Sequence, residues 1–449
     1  MTTDPFSPFS STPEMDRVFS LANQLRQMLR FEWALSGALE EAGMAAAGSA
    51  DAVAAFQDAE FVDRDALREE ARLAGNLAIP FVRQLTAAVR ERNRDAAAAV
   101  HLGATSQDVL DTALVLQTRD ALNLIQNAVA ELDRQLVQQA RSHAGTVLAG
   151  RTWLQDGPPI TLGLKIAGWI AALRRHADRL RAAGVRARVL QFGGAVGTLA
   201  PLAENGAAIS ASLARRLELA EPELPWHAHR DRFVEVASAL GMLVGTLGKM
   251  ARDISLMMQT EVGEVLEPAG EGRGGSSTMP HKRNPVASAL ILAAAVRVPG
   301  LVATMMSAMV QEHERGLGCW QAEWNTYPEI CRLTAAALDH ALEIAGGMEV
   351  HPERMAANLV ATRGLAMAES VSMALAAKVG RGIAHNLVER AAQRALEPGR
   401  HLRDVLLAMP EIREYFDEAE IDRLLDPQNY LGSARRFLDR ALGGPDASR

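Results

Sequence analysis

Gly272-Arg-Gly-Gly-Ser-Ser-Thr-Met-Pro-His-Lys-Arg-Asn-Pro285 decides how the rest of the chain is read. Gly272, Gly274 and Gly275 loosen the backbone, Ser276 and Ser277 supply adjacent hydroxyls, and His281, Lys282 and Arg283 form a basic triplet. The run closes on Asn284-Pro285, an N-cap followed by the proline that opens a helix. A glycine-rich loop feeding a helix N-terminus suits an anion, because free N–H groups and the helix dipole both favour negative charge. A solvated linker has no use for two hydroxyls, a basic triplet and a cap in one run.

Outward from this loop the chain reads as helix. Val18, Leu21, Leu25, Met28, Leu29, Phe31 and Leu35 recur at three- and four-residue steps within Met15–Met44. Residues Ala66–Asn93 read as one or two further helices interrupted at Pro80. A long helix runs to about His143, a third from about Pro159 to Ala183, and a fourth from Asp231 to about Glu264. The last is roughly 50 Å long at 1.5 Å per residue and apolar on more than one side, so neighbours from other subunits are expected. No stretch alternates as a half-buried strand would, and aromatics are only 4% of 449 residues, which suits close helix packing. The fold class expected is all-α, with a long central helical bundle flanked by two smaller helical domains. The expected divisions are 1–105, 106–355 and 356–449.

Composition narrows the partners. A net charge of −7 argues against nucleic acid, so an anionic ligand must be held by a local cluster of cations. Cys319 and Cys331 offer neither a disulfide framework nor metal-ligand spacing and fit a reducing cytosol. The N-terminal residues lack the pattern of a signal peptide, and the longest uncharged apolar run is too short to span a bilayer. A cytoplasmic protein with no membrane partner is expected.

Two more polar turns carry equipment like that of the glycine-rich loop. His101-Leu-Gly-Ala-Thr-Ser-Gln-Asp108 precedes a long helix, with Thr105 as cap and Asp108 as its capping-box partner. This turn reads either as a plain helix start or as a carboxylate binder built from His101, Thr105 and Ser106. Gly150-Arg-Thr-Trp-Leu-Gln155 places Arg151, Thr152 and Gln155 as donors beside another expected helix end, with Trp153 serving packing or chemistry. Gln191-Phe-Gly-Gly-Ala-Val-Gly-Thr198 reads as a tight turn or a site wall, and Gln311-Glu-His-Glu-Arg315 through Trp320 and Trp324 as a solvated turn or further site residues. If three helix N-termini converge, within or between subunits, their pocket suits a small polycarboxylate. No metal or other cofactor is expected, because the turns lack ligand spacing. Gly-Ser-Ser also lacks the strand–turn–helix context of a nucleophilic serine; beside Lys282, a serine acts more readily as a base.

Gly275-Ser-Ser-Thr-Met-Pro-His-Lys-Arg-Asn-Pro285 resembles the signature of the fumarase/aspartase superfamily, which includes adenylosuccinate and argininosuccinate lyases. The turns at Thr105-Ser106 and Gly150–Gln155 resemble its other two signature regions. Within it, the residues from His101 to Asp108, Gly150 to Gln155, Gln311 to Arg315 and Trp320 to Trp324 resemble the cycloisomerase branch. That branch closes a lactone instead of expelling an amine or nucleotide. The other lyases usually carry a proton-transferring histidine where this chain has Trp153, and indole cannot carry a proton at neutral pH. The resemblance implies a homotetramer with sites built from three subunits. It makes Ser276 the proton-transferring group, with Lys282 and Asn284 binding carboxylate and stabilising an enediolate-like intermediate. Thr105, Ser106 and Gln155 would bind the remaining carboxylates, Arg315 would be a further clamp, and Trp153 would shape the pocket. An adenylosuccinate-type C–N lyase and a catalytically silent helical scaffold are the alternatives.

Overall fold

The computed structural model describes residues 5–270, 274, 275, 279 and 282–443, excluding the side chain of Ser7. The expectations placed on Ser276, Ser277 and His281 lie outside the described residues.

Helix dominates, in the order expected for an all-α chain. The principal helices are α1 (Leu21–Glu41), α2 (Arg64–Ala74), α3 (Ala78–Arg92) and α4 (Ser106–Ser142). A hairpin, β1 (Val147–Thr152) and β2 (Gln155–Thr161), precedes α5 (Leu162–Ala187), α6 (Gly206–Leu217) and α7 (Asp231–Met257). Then come β3 (Val265–Leu266), α8 (Val286–Ser307), α9 (Cys319–Gly347), β4 (Glu349–Val350), α10 (Pro352–Ala361) and shorter C-terminal helices. The chain divides into two compact units, the first Met1–Val129, His176–Gly245 and Ala293–Asp339, the second Ala130–Arg175, Thr246–Leu292 and His340–Arg449.

In the first unit, α1 buries Leu25, Met28, Leu29, Phe31, Leu35 and Leu39, the stripe its periodicity announces. Its N-cap is Ser20, whose hydroxyl accepts from Asn23 N at 3.2 Å. Helix α6 lies against it where Gly37 leaves room: a Cβ there would come within 2.3 Å of the Arg216 guanidinium. Arg216 and Arg215 both reach Glu41, at 2.7 and 2.8 Å. The break expected at Pro80 falls earlier, at Gly75 (φ +78), because Pro80 sits in the first turn of α3, where its missing N–H costs no intrahelical bond.

The same unit buries a charged knot. Arg230, immediately before α7, has no exposed side chain. It grips Asp111 of α4 at 2.6 and 3.0 Å and Glu323 of α9 at 2.6 and 2.9 Å. Trp320 Nε1 and Gln107 Nε2 donate to the two Asp111 oxygens at 3.0 Å each. Burial raises the Glu323 pKa despite the guanidinium against it. Removing one partner of such a group leaves an uncompensated buried charge.

In the second unit the strand prediction fails. Residues 147–161 form an antiparallel hairpin that pairs Val147 with Thr161 and Thr152 with Gln155, slipping once between Ala149 and Gly150. The turn is Trp153-Leu154, with φ of +53° and +62°, the double positive φ of a type I′ turn carried by two residues that rarely adopt it. Two prolines and a bulge erase the alternation in sequence. Helix α5 starts at Leu162, with Thr161 accepting from Leu164 N at 3.1 Å, so Arg151, Thr152 and Gln155 are hairpin residues and stand at no helix end. The C-terminal helices bury their own cluster around Val371, Leu375, Ala391, Leu406 and Phe416.

Arg230→Met should destabilise the protein by about 3–5 kcal/mol, because Asp111 and Glu323 stay buried without their cation. Replacing all three with Leu, Met and Leu should recover most of that loss. Thermal and denaturant midpoints check both.

Candidate active site

The first unit gathers the candidate residues His101, Thr105, Ser106 and Arg315 near Asp108. This residue is fully buried, and its carboxylate collects four N–H donors. Thr105 N and Gly194 N donate to Oδ2 at 2.9 Å each, while Gly193 N at 3.0 Å and His227 Nε2 at 2.7 Å reach Oδ1. Half of the expected capping box is therefore present: the N3 carboxylate returns to the cap N–H. Asp108 also stitches the Gly193-Gly194 turn to the start of α4, so the glycine-rich run at 191–198 packs beside the turn that carries Thr105 and Ser106. Gly194 adopts φ +69, and a Cβ there would lie 2.9 Å from Gly103 O, which is why that turn needs glycine.

The Thr105 hydroxyl does not cap. It accepts from Arg315 NH1 at 3.0 Å, and Arg315 NH2 donates to Gly194 O at 3.3 Å and Ala195 O at 2.8 Å. Arg315 thus brings its positive charge to Thr105 while fastening the loop after α8 to the glycine turn. Ser106 opens α4, and its half-exposed hydroxyl has no partner among the described residues. His101, at φ +61, donates its backbone N–H to Glu32 at 2.9 Å and holds that carboxylate through Nδ1 at 2.7 Å. Burial favours the neutral ring, but the Glu32 carboxylate, seconded by Asp108, outweighs it and raises the His101 pKa.

The second unit carries the remaining residues. Trp153 is 97% exposed at the hairpin tip, with Leu154 and Gln155 exposed beside it. Just below the tip, Arg151 makes a two-bonded pair with buried Glu264 at 2.6 and 2.7 Å, and Asn358 donates to Glu264 at 2.8 Å. The Glu264 hydrogen bond holds the Arg151 pKa above the ordinary guanidinium value.

The glycine-rich loop is tied at its ends. Asn284 N donates to Gly274 O at 2.9 Å, and Arg283 pairs with Glu349 at 2.8 and 2.9 Å. Two expectations about its helix change. Helix α8 begins at Val286, one residue later than an Asn284 cap requires, and an anion already occupies its N-terminus: the Glu267 carboxylate accepts from Ala287 N at 3.0 Å and Ser288 N at 2.8 Å. Asn284 and Lys282 are thereby left to other work. Lys282 is exposed, and neither its ammonium nor the Asn284 amide has a partner among the described residues.

Sequence reasoning missed His227, Arg230, Asp111, Glu264 and Glu267. A signal for two of their neighbourhoods was present: Gln107, Asp108, Asp111 and Thr112 are polar residues on the opening turns of an apolar helix, and all four are buried.

The family described as Lyase matches residues 10–300, and the one described as adenylosuccinate lyase C-terminus matches residues 364–441. Fold and signature turns together define an all-α lyase. Over 437 residues the chain is 52% identical to 3-carboxy-cis,cis-muconate cycloisomerase of Pseudomonas aeruginosa, covering 97% of this chain and 95% of that one. It is 48% identical over 431 residues to the protein of the same name from Acinetobacter baylyi, covering 96% of each. The crystal structure of 3-carboxy-cis,cis-muconate lactonizing enzyme from Pseudomonas putida matches with a TM-score of 0.93 at 49% identity, covering 98% of both chains. The chain belongs to the 3-carboxy-cis,cis-muconate cycloisomerase family of the fumarase/aspartase superfamily.

A proton held more tightly by His101 in the folded protein stabilises it fully below the usual imidazole value of 6.5 and ceases to do so as pH climbs through the raised value. Melting temperatures taken across that range should therefore fall more steeply with pH in the parent than in His101→Gln.

Proposed function

We propose that this chain cyclises 3-carboxy-cis,cis-muconate to 4-carboxymuconolactone, a step of aromatic catabolism. The observation that carries the reading is Trp153, 97% exposed at the hairpin tip, where C–N lyases of the superfamily usually place a proton-carrying histidine. A lyase that expels an amine needs that proton; a lactonising enzyme does not, because its substrate's own carboxylate is the nucleophile. In the cyclisation a carboxylate oxygen bonds to one alkene carbon. The displaced electron pair moves toward the carboxylate conjugated with it, giving an enediolate-like intermediate, and a proton then arrives at the adjacent carbon.

Charge placement supports the same reading. Lys282 offers an ammonium, and Asn284 an amide, for the carboxylate on which negative charge accumulates. Thr105 with Arg315 behind it, Ser106, His101 and Gln155 provide donors for the other carboxylates, and Trp153 walls the ring. Ser276 is the proton-transferring group.

These segments belong to a site completed by three subunits of a cytoplasmic homotetramer. Helices α7 and α8 are long and apolar enough to cross a membrane by length and composition alone, and only 33% of the apolar window of α8 is buried. Ala293, Val296, Ala303, Met306 and Val310 of α8 and the residues just after it are exposed at near-helical spacing, a stripe that other copies of the chain would cover.

Purified protein should bleach the ultraviolet absorbance of the conjugated diene; unchanged absorbance at micromolar enzyme overturns the reading. Ser276→Ala should lower turnover by about 10²-fold or more, and Lys282→Ala by about 10²–10³-fold. Val296→Asp, a charge placed in the exposed stripe, should shift the mass in light scattering below that of a tetramer and remove activity with it.

A further inference from the structure

A cleft of about 400 Å³ lies between α1 and the short helix Ser49–Ala54 with the turn after it, all within the first unit. None of its lining residues has a place in the candidate active site. Arg26, Leu29, Arg30 and Trp33 form one wall, at the three- and four-residue steps that bring them to one side of α1. Val53 and Ala54 add apolar wall from the short helix, and Gln57 and Asp58 are exposed at the rim. Glu32, which holds His101, leaves α1 roughly a third of a turn away from this face at 3.6 residues per turn.

The cleft has cations without counter-ions. Arg30 is half-buried, and its NH1 donates to Gln27 Oε1 at 3.0 Å. A guanidinium has five N–H donors, and the others of Arg30 have no acceptor among the described residues. Burial lowers the Arg30 pKa, and the Arg119 guanidinium adds to the effect; Asp120 and Glu218 offset only part of it. Arg26, exposed one turn earlier on the same face, also has no partner among the described residues. Like charges at this spacing repel along a helix, and an anion held between them relieves both. Asp58 pairs with neither arginine, so the three charges of the lining sum to +1.

The cleft also has a surface for a ring. The half-buried Trp33 indole is braced by the Arg216 guanidinium, 5.9 Å from its centroid and itself paired with Glu41 at 2.7 Å. Leu29 and Val53, both buried, continue the apolar wall beside it.

We propose that this cleft binds a small aromatic monocarboxylate, its ring packed on Trp33, Leu29 and Val53 and its carboxylate bridging Arg26 and Arg30. Asp58 at the rim repels a second negative charge, which separates this ligand from the polycarboxylate proposed for the active site.

Calorimetric titration of benzoate into the full chain should show a saturable site. Benzamide keeps the ring without the charge, and acetate keeps the charge without the ring; each should bind at least roughly tenfold more weakly. Arg26→Gln and Arg30→Gln should each weaken benzoate by roughly tenfold or more, the value of a charged hydrogen bond. Arg26 is exposed, so its replacement leaves the core intact if Arg30→Gln fails to fold. Asp58→Asn removes the repulsion and should tighten benzoate several-fold. Lys282→Ala should leave the titration unchanged, whereas benzoate seated in the active site would be lost there and indifferent to Arg26→Gln. Absence of saturable binding, equal affinity for benzamide or acetate, unchanged affinity in Arg26→Gln, weaker binding in Asp58→Asn, or loss of binding in Lys282→Ala would each overturn the proposal.

Discussion

Arg230 is the constraint on which the first unit depends. One guanidinium, without solvent, faces two carboxylates that belong to different long helices, and each sits within two turns of its helix's beginning: Asp111 on α4 and Glu323 on α9. Arg230 itself precedes the first residue of α7. Three helix starts are therefore fixed by one planar fork, whose geometry tolerates little sliding. A buried ion group of this kind is weak evidence for stability, because apolar residues of the same volume would pack as well. Its value is register. Leucines in these places would let the helices slip by a turn, whereas a misregistered Asp111 would be a bare charge in the core. The knot carries net charge −1, and burial shifts the Glu323 pKa upward in response.

Beginnings of helices are gathered, then, but not as anion receptors in the simple sense. Two helix N-termini next to candidate residues already hold an anion from their own chain. Asp108 serves the cap N–H of α4, and Glu267 serves Ala287 N and Ser288 N of α8. In a protein of net charge −7 this has a chemical consequence. With the helix ends neutralised internally, the polycarboxylate of the proposed reaction would have to be held by discrete side-chain donors, for which Lys282, Asn284, Arg315 and the Thr105 and Ser106 hydroxyls are proposed. Discrete donors can be positioned against individual oxygens, which a diffuse helix dipole cannot be.

The helices were legible because their signal is local. Leu25, Met28, Leu29, Phe31 and Leu35 repeat at the helical period and are buried as that period requires. Signature turns were legible for the same reason, as dense runs of glycine, hydroxyl and base. The hairpin was not. Its alternation is cut by Pro158, Pro159 and a slipped register at Gly150, and its turn uses Trp153-Leu154 where glycine or asparagine would have announced it. Nor could the partners of Asp108, Asp111 and Glu264 be read, since His227, Arg230 and Asn358 stand about a hundred residues away and only tertiary packing brings them in. Charged residues look solvated in sequence until the fold encloses them.

Trp153 joins structure to reaction class most directly. Two non-glycine residues with positive φ at a hairpin tip cost free energy, and an indole left 97% exposed returns none of it within the chain. Such strain persists where the side chain does its work elsewhere, and in the proposed tetramer that place is a neighbouring subunit's pocket. There an indole can supply surface and shape but no proton. The chemistry compatible with that exchange is one in which nothing has to be protonated in order to leave. Intramolecular addition of a carboxylate meets the condition: one carbon–oxygen bond forms, no group departs, and the single proton required goes to carbon. A site that gives up a histidine for a tryptophan has given up leaving groups, and with them amine elimination.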